Sequence, residues 1–540
     1  MSNSRRGIPI IHDRRTFIGA SALAATGLLA NPFARAWAQD IRGARPTRVV
    51  ATAAGRVRGV ILDHNVNAFY GIPYGASTAG DNRFMPPRPA ASWNDVRDAI
   101  AVTGRSPQDL EGPIPEVYAL DRRQPMSEDC LHVNVWTPAL GEGDRPVMVW
   151  LHGGGFSSGS GDWLLYDGAR LAASQDVVVV TVTHRLNAFG YLYLPELGGE
   201  KYAQSSNVGM LDIVLALDWV RGNVGMFGGD PGRVTLFGQS GGGRKVSILT
   251  GMPAAKGLFQ RAIIMSGSQS TGTSASDATA ATDKFLKSTG VRNVDELQRM
   301  PMEQLRAAAA SFNLQPVLDG NTLPANPYDP VATSLSADVP LIIGTVEHEA
   351  TFTRGTPLDP IDDATLRQLV KNETRGSDAQ VEHLIDVYRQ GRPNLSNVDL
   401  LQILISDNGY RVRANAMADA KVKQGTASAY MYLFTWQSPV REGKLKSFHT
   451  LDIPFAFNNV EVAASMTGAG QSRYALADRI STAFATFARD GRPSHHALPH
   501  WPEFTVAERA TMVFDDECVV VNDPHRLERL ALDEVRKTAS

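Results

Sequence analysis

The chain has 540 residues, 43% hydrophobic and 20% charged, with 48 Gly, 31 Pro and two cysteines, Cys130 and Cys518. That composition belongs to a globular protein with a large core and many turns, and it excludes disordered, collagenous and coiled-coil architectures. A formal net charge of -3 lacks the basic excess of a nucleic-acid binder, and two thiols cannot build a disulfide framework, a four-thiolate zinc site or an iron–sulfur cluster.

In chain order, residues 1–38 read as an export label. Arg14-Arg15 precede a 14-residue apolar run over 17–30, too short to span a bilayer comfortably. The run leads to Ala36-Trp37-Ala38, the small-x-small pattern that a signal peptidase accepts. The paired arginines followed by Thr16-Phe17 resemble a twin-arginine export signal, so the chain is expected to be exported, periplasmic or secreted. An uncleaved anchor helix or a basic tail is the competing reading, which the short run disfavours. No Cys follows the run to carry a lipid, so no stable membrane anchor is expected. Cleavage after Ala38 removes five Arg and one Asp and leaves a charge of -7.

Residues 39–540 carry no further long apolar stretch and no repeat, and are expected to form a single domain. Short β-branched runs at 147–151 (VMVWL), 177–182 (VVVVTV), 234–237 (VTLF) and 339–343 (VPLII) suit strands buried on both faces. Between them lie helical patterns such as 209–220, whose apolar positions recur at three and four residues. The alternation predicts an α/β fold with a mostly parallel sheet covered by helices, and chemistry at the carboxyl ends of its strands.

The residues at those ends are informative. Gly238-Gln239-Ser240-Gly241-Gly242 is a G-x-S-x-G between a strand and a helix, the context of a nucleophile elbow, where the following helix N-terminus favours developing negative charge. By itself the pattern is also what an ordinary turn looks like. His152-Gly153-Gly154-Gly155-Phe156 follows another buried strand, and a tight loop would explain one such glycine but not three. Three in a row let backbone N–H groups face a ligand with no side chain between. A serine hydroxyl needs a base, and the base an acid. Of the downstream histidines, His495, His496 and His500 lie in a Pro/Gly-marked segment that reads as a surface turn, and no carboxylate spacing there supports a metal site. His449 stands in a loop entering an apolar segment. Glu347 and Glu349 both follow the run at 339–343, and local pattern leaves the choice between them open.

The chain resembles the type-B carboxylesterases, the family of bacterial para-nitrobenzyl esterases, animal carboxylesterases and cholinesterases. The matching stretches are spread over nearly the whole of it: Phe69-Tyr70-Gly71-Ile72-Pro73-Tyr74, Arg83-Phe84, Ser127-Glu128-Asp129-Cys130-Leu131, the glycine run at 152–156, Asn207-Val208-Gly209-Met210-Leu211-Asp212, Phe227-Gly228-Gly229-Asp230-Pro231, the elbow, Pro316-Val317-Leu318-Asp319-Gly320 and Trp501-Pro502. The resemblance implies an α/β-hydrolase fold with large insertions forming a cap over the active site. It implies Ser240 as nucleophile, His449 as general base, and Glu349 rather than Glu347 as acid. It assigns the oxyanion hole to the backbone N–H groups of Gly154, Gly155 and Gly241, and matches Ser266 to a serine that the family sets near its acid; otherwise Ser266 is a buried serine satisfied by backbone. The implied reaction is hydrolysis of a small-molecule ester through an acyl-enzyme, with no metal or organic cofactor required. A non-catalytic binding protein of the same fold, or hydrolysis of a thioester, amide or lipid, are the alternatives.

Four positions depart from the family pattern. Gln239 stands where Glu is usual and removes a charge near the acid–base pair. Gly241 stands where Ala is usual and is expected to loosen the elbow. Arg244 and Lys245 replace small residues on the helix behind Ser240; they are expected to be solvated or carboxylate-paired, the alternative being a preference for anionic substrates. Ser106 occupies the position of the family's disulfide partner for Cys130, so that bridge is absent, and whether Cys130 meets Cys518 is open. The pockets are expected to be shaped by segments 110–125, 268–315 and 351–425, which match the family least.

Overall fold

The computed structural model describes residues 44–102, 104–109, 114–351 and 356–539. The export label expected over 1–38 lies outside the described residues, and from Arg45 onward the chain forms one compact unit. Its strands in chain order are β1 (Arg45–Pro46), β2 (Val50–Ala51), β3 (Arg56–Arg58), β4 (Val60–Ile61), β5 (Asn67–Pro73), β6 (Val96–Asp98), β7 (His132–Thr137), β8 (Gly141–Leu151), β9 (Val178–Thr183), β10 (Phe227–Gln239), β11 (Arg261–Met265), β12 (Leu341–Val346), β13 (Ala429–Phe434), β14 (Ala510–Phe514) and β15 (Val519–Asn522).

Twelve of them form one sheet in the order β1-β4-β5-β7-β9-β8-β10-β11-β12-β13-β14-β15, and β2, β3 and β6 form a small second sheet. Every pairing from β9 through β14 is parallel. The flanks are antiparallel, β1 through β9 on one side and β14 with β15 on the other. All residues of β7, β9, β12 and β13 are buried; β9, β12 and β13 are accordingly mostly apolar runs, while β7 (HVNVWT) buries His132, Asn134 and Thr137 among its apolar residues. The expected runs fall within or across β8, β9, β10 and β12, and the helical pattern at 209–220 is the helix Val208–Asn223. β11 (RAIIM), β13 (AYMYLF) and β14 (ATMVF) complete the parallel part; none stood out in the sequence.

Long helical connections follow β11 and β12. In the first, helices Ala275–Thr289, Val294–Arg299 and Met302–Ala309 send Phe285, Leu297 and Leu305 into the main core. In the second, helices Asp363–Thr374, Asp378–Gly391 and Asn397–Ser406 pack with the C-terminal helix Arg526–Ala539 around Leu366, Leu384, Leu401 and Leu532, a separate apolar cluster that also takes in Ala350. Asp362, Ser377 and Ser396 start those three helices, each accepting the backbone N–H three residues on. Cys130 and Cys518 are both free and buried. Ser106, at the missing bridge position, accepts a hydrogen bond from the Leu186 N–H instead.

Candidate active site

β10 ends at Gln239, and Ser240 turns the chain into the helix Gly241–Leu249. Its backbone, at φ 56° and ψ -120°, lies where a side chain is strained. The surroundings enforce the turn. The Ser240 N–H donates to the Met265 carbonyl at 2.9 Å. A Cβ on Gly238 would come within 2.6 Å of the Gly242 carbonyl carbon, and one on Gly242 would land on the Leu151 carbonyl oxygen. The G-x-S-x-G spacing thus answers to a crossing of backbones too close for side chains.

β8 runs out into the glycine loop. Gly154 and Gly155 have φ of 85° and 61°, and a Cβ on Gly154 would strike the Ser158 backbone. The Gly154 carbonyl accepts the N–H groups of Ser157 and Ser158, at 3.2 and 3.0 Å. Gly241, as the first residue of its helix, has no intrahelical acceptor for its own N–H. The expectation that Gly241 loosens the elbow is corrected here: a Cβ at 241 would fall on the backbone of Gly155. Its absence lets the glycine loop close onto the start of the helix and brings residues 155 and 241 into contact.

His449 follows the isolated bridge between Phe448 and His348, and Thr450 after it has φ 83°, a strained conformation for a β-branched residue. The His449 Nδ1–H donates to Glu349 Oε2 at 2.5 Å, and Glu349 is fully buried. With Nδ1 committed to the carboxylate, Nε2 is the nitrogen left to take a proton. Glu347 points elsewhere, to Arg392 Nη1 at 2.6 Å. Burial pushes its carboxyl up, but His348 and Arg392 outweigh that and hold it below the usual carboxylate range. Gln239 is fully buried with its amide nitrogen 3.4 Å from each ring nitrogen of His449, so a neutral group faces the imidazole.

Ser240, His449, Gln239, Gly153 and Gly154 line one cavity of about 180 Å³, whose other wall is Ile114, Val117, Tyr118, Trp163 and Tyr166. Segment 110–125 therefore supplies part of the wall, as expected. Trp163 and Tyr166, stacked with ring centroids 5.9 Å apart, come from a stretch that carried no sequence signal. The Tyr410 ring lies 5.2 Å from that of His449, and Gln108 braces the loop beyond the glycines, donating to the Gly159 carbonyl and accepting its N–H. Neither could be found from sequence, because each acts across a long separation.

Four further residues lie close to the site or behind it. Ser266, just past β11 at φ 49°, is buried, and its Oγ has no hydrogen-bond partner among the described residues, neither the acid nor a backbone group. Asp452, three residues after His449, accepts the Tyr432 hydroxyl at 2.7 Å; burial, with Glu349 adding to it, pushes its carboxyl up to about 7. Lys245 is not solvated, and among the described residues it meets no carboxylate: it is fully buried and donates to the His152 carbonyl at 3.0 Å. Arg244 lines a separate polar cavity of about 390 Å³ with Ser268, Gln269 and Arg413. Among the described residues no three His, Cys, Asp or Glu side chains gather as a metal site, and no helix is long and apolar enough to cross a membrane.

Comparison with known proteins extends the resemblance. The profile of the Carboxylesterase family matches residues 46–532. A para-nitrobenzyl esterase of Bacillus subtilis is 35% identical over 506 residues, covering 90% of this chain and 98% of the relative. A phenmedipham hydrolase of Pseudarthrobacter oxydans is 31% identical over 494 residues, covering 87% and 96%. A solved carboxylesterase from Geobacillus stearothermophilus superposes with a TM-score of 0.78 at 35% identity, over 90% of this chain and all of that one.

Proposed function

The chain belongs to the carboxylesterase family and is a carboxylic ester hydrolase of the α/β-hydrolase fold, and from that premise we propose that Ser240, His449 and Glu349 carry out the reaction. The observation that carries this reading is the shared cavity of Ser240 and His449, with the histidine's far nitrogen held by a buried carboxylate at 2.5 Å. Ser240 Oγ attacks the ester carbonyl while His449 Nε2 takes its proton. The carbonyl oxygen, now an oxyanion, is met by the N–H groups of Gly154, Gly155 and Gly241, and the helix N-terminus adds its partial positive charge. His449 returns the proton to the departing alcohol, and water repeats the cycle on the acyl-enzyme. Glu349 holds the imidazole in the tautomer this needs and stabilises the imidazolium.

The wall of Ile114, Val117, Tyr118, Trp163 and Tyr166 suits esters with an apolar or aromatic portion, in keeping with the para-nitrobenzyl ester named for the Bacillus relative. A para-nitrophenyl phosphonate tests the assignment. It should attach one phosphonyl group per chain, on the peptide carrying Ser240, with loss of aryl-ester hydrolysis; labelling elsewhere, or hydrolysis that persists in Ser240→Ala, contradicts it. Residues 1–38 act in this reading as a twin-arginine export signal ahead of one esterase domain, 39–540, delivered to the periplasm or medium. Exported protein beginning at Gln39, and its retention in the cytoplasm when Arg14→Lys and Arg15→Lys are combined, are the expected results; an intact N-terminus on exported protein refutes cleavage there.

A further inference from the structure

A lysine stands behind the glycine loop with no carboxylate to meet it among the described residues. Lys245 has 0% of its surface exposed. Its ammonium donates to the His152 carbonyl at 3.0 Å and lies 5.8 Å from the centre of the Phe156 ring, within cation–π range. These two residues bracket Gly153, Gly154 and Gly155. No carboxylate pairs with Lys245 among the described residues; its charged neighbour is Arg244, and burial first, then Arg244, push the amine down to about 7. The imidazoles of His152 and His184, stacked 4.8 Å apart, are held well below their usual range by burial and then by Lys245, so they contribute no charge there.

The loop's carbonyls make the arrangement legible. A peptide unit is planar, so fixing the carbonyl of one residue fixes the N–H direction of the next. The Gly154 carbonyl is taken by Ser157 and Ser158, which sets the Gly155 N–H. The Gly153 carbonyl accepts His152 Nδ1–H at 2.8 Å, which sets the Gly154 N–H. The His152 carbonyl, at the root of the loop, is taken by Lys245 alone among the described side chains. A small or apolar side chain would pack this helix more cheaply than an unpaired buried ammonium, and such unfavourable groups persist where function uses them.

We propose that Lys245 is a positioning residue of the oxyanion hole: from beneath the glycine loop it fixes the His152–Gly153 peptide and the Phe156 ring, and in its protonated form it places a positive charge behind the N–H groups that receive the oxyanion. The inference rests on the reading of Ser240 and the glycine loop given above. Ground-state ester brings no charge to this place and the tetrahedral intermediate does, so the effect belongs in kcat.

The test compares the parent enzyme with Lys245→Met, which keeps the length without charge or donor, and Lys245→Gln, which keeps an N–H donor. Active sites are counted with the phosphonate, so a failure of the underlying reading would show as absent labelling in the parent, before either variant is compared. Per labelled site, Lys245→Met should lose ~10- to 100-fold in kcat with KM within about threefold, Lys245→Gln should lose less, and a trifluoromethyl ketone, which forms a tetrahedral adduct, should weaken in step with kcat. The melting temperature of Lys245→Met should be unchanged or higher. The proposal is overturned if kcat per labelled site is unchanged in Lys245→Met. It is equally overturned if trifluoromethyl ketone affinity holds while kcat falls, or if both variants lose labelling and melting temperature together, as a purely structural lysine would require.

Discussion

Replacing Glu349 with Gln removes one negative charge from a place where, in the proposed mechanism, His449 becomes positive. The two side chains meet at 2.5 Å, and Glu349 has no exposed surface. With an effective dielectric of about 20, Coulomb attraction at that separation is roughly 7 kcal/mol. Glutamine still offers an oxygen to Nδ1–H, so the net loss is smaller, about 4–5 kcal/mol, which corresponds to ~10³–10⁴-fold in kcat. Glu347→Gln is the control. That carboxylate is engaged by Arg392, which keeps Glu528 at 3.1 Å as a second partner. Its replacement should cost about 1–3 kcal/mol of stability, with kcat per active site within about threefold. The assay is steady-state hydrolysis of a para-nitrophenyl ester, normalised to phosphonate-titrated sites, with urea unfolding alongside. Equal losses of kcat per site in the two variants would refute the assignment of the acid.

Gly241→Ala should lower kcat ~10–10²-fold with a smaller change in KM, because the new Cβ displaces Gly155 and its N–H; parent-like kcat would show that the loop yields without consequence. The buried Asp452, raised from 3.8 to about 7, binds a proton in the folded state that the unfolded chain has released. Folding stability from this group is therefore full below about pH 4 and declines as pH rises toward 7, by on the order of 4 kcal/mol. Asp452→Asn should flatten that decline, gaining on the parent at pH 8 but not at pH 4 in urea unfolding, and a parallel pH dependence in both proteins would contradict it. Both cysteines are free, so denatured protein prepared without reductant should titrate two thiols, and reductant should leave the melting temperature unchanged; fewer thiols would reveal a bridge.

The parts of the site that sequence made readable are those fixed by neighbours in the chain. Ser240 and the glycine loop are set by backbone crossings that only glycine permits, and such constraints print themselves as G-x-S-x-G and three consecutive glycines. Strands buried on both faces print as apolar runs, which is why β8, β9, β10 and β12 were visible. The choice between Glu347 and Glu349 was not visible in the local pattern, because it depends on Arg392 drawing one carboxylate aside, 45 residues away. Trp163, Tyr166 and Tyr410 approach the site only through the fold. Lys245 reversed expectation outright: a charged residue next to Arg244 reads as a solvated face, and only the three-dimensional structure turns it inward under His152.

In the proposed mechanism Ser240 carries the acyl group between the two halves of the reaction. Rapid quench of the enzyme with para-nitrophenyl acetate tests it directly. A burst of one nitrophenolate per titrated site, with one acetyl group on the peptide containing Ser240 and none in Ser240→Ala, is the expected result. Turnover without a burst and without acetyl on that peptide, even in a variant slowed at deacylation, would contradict it.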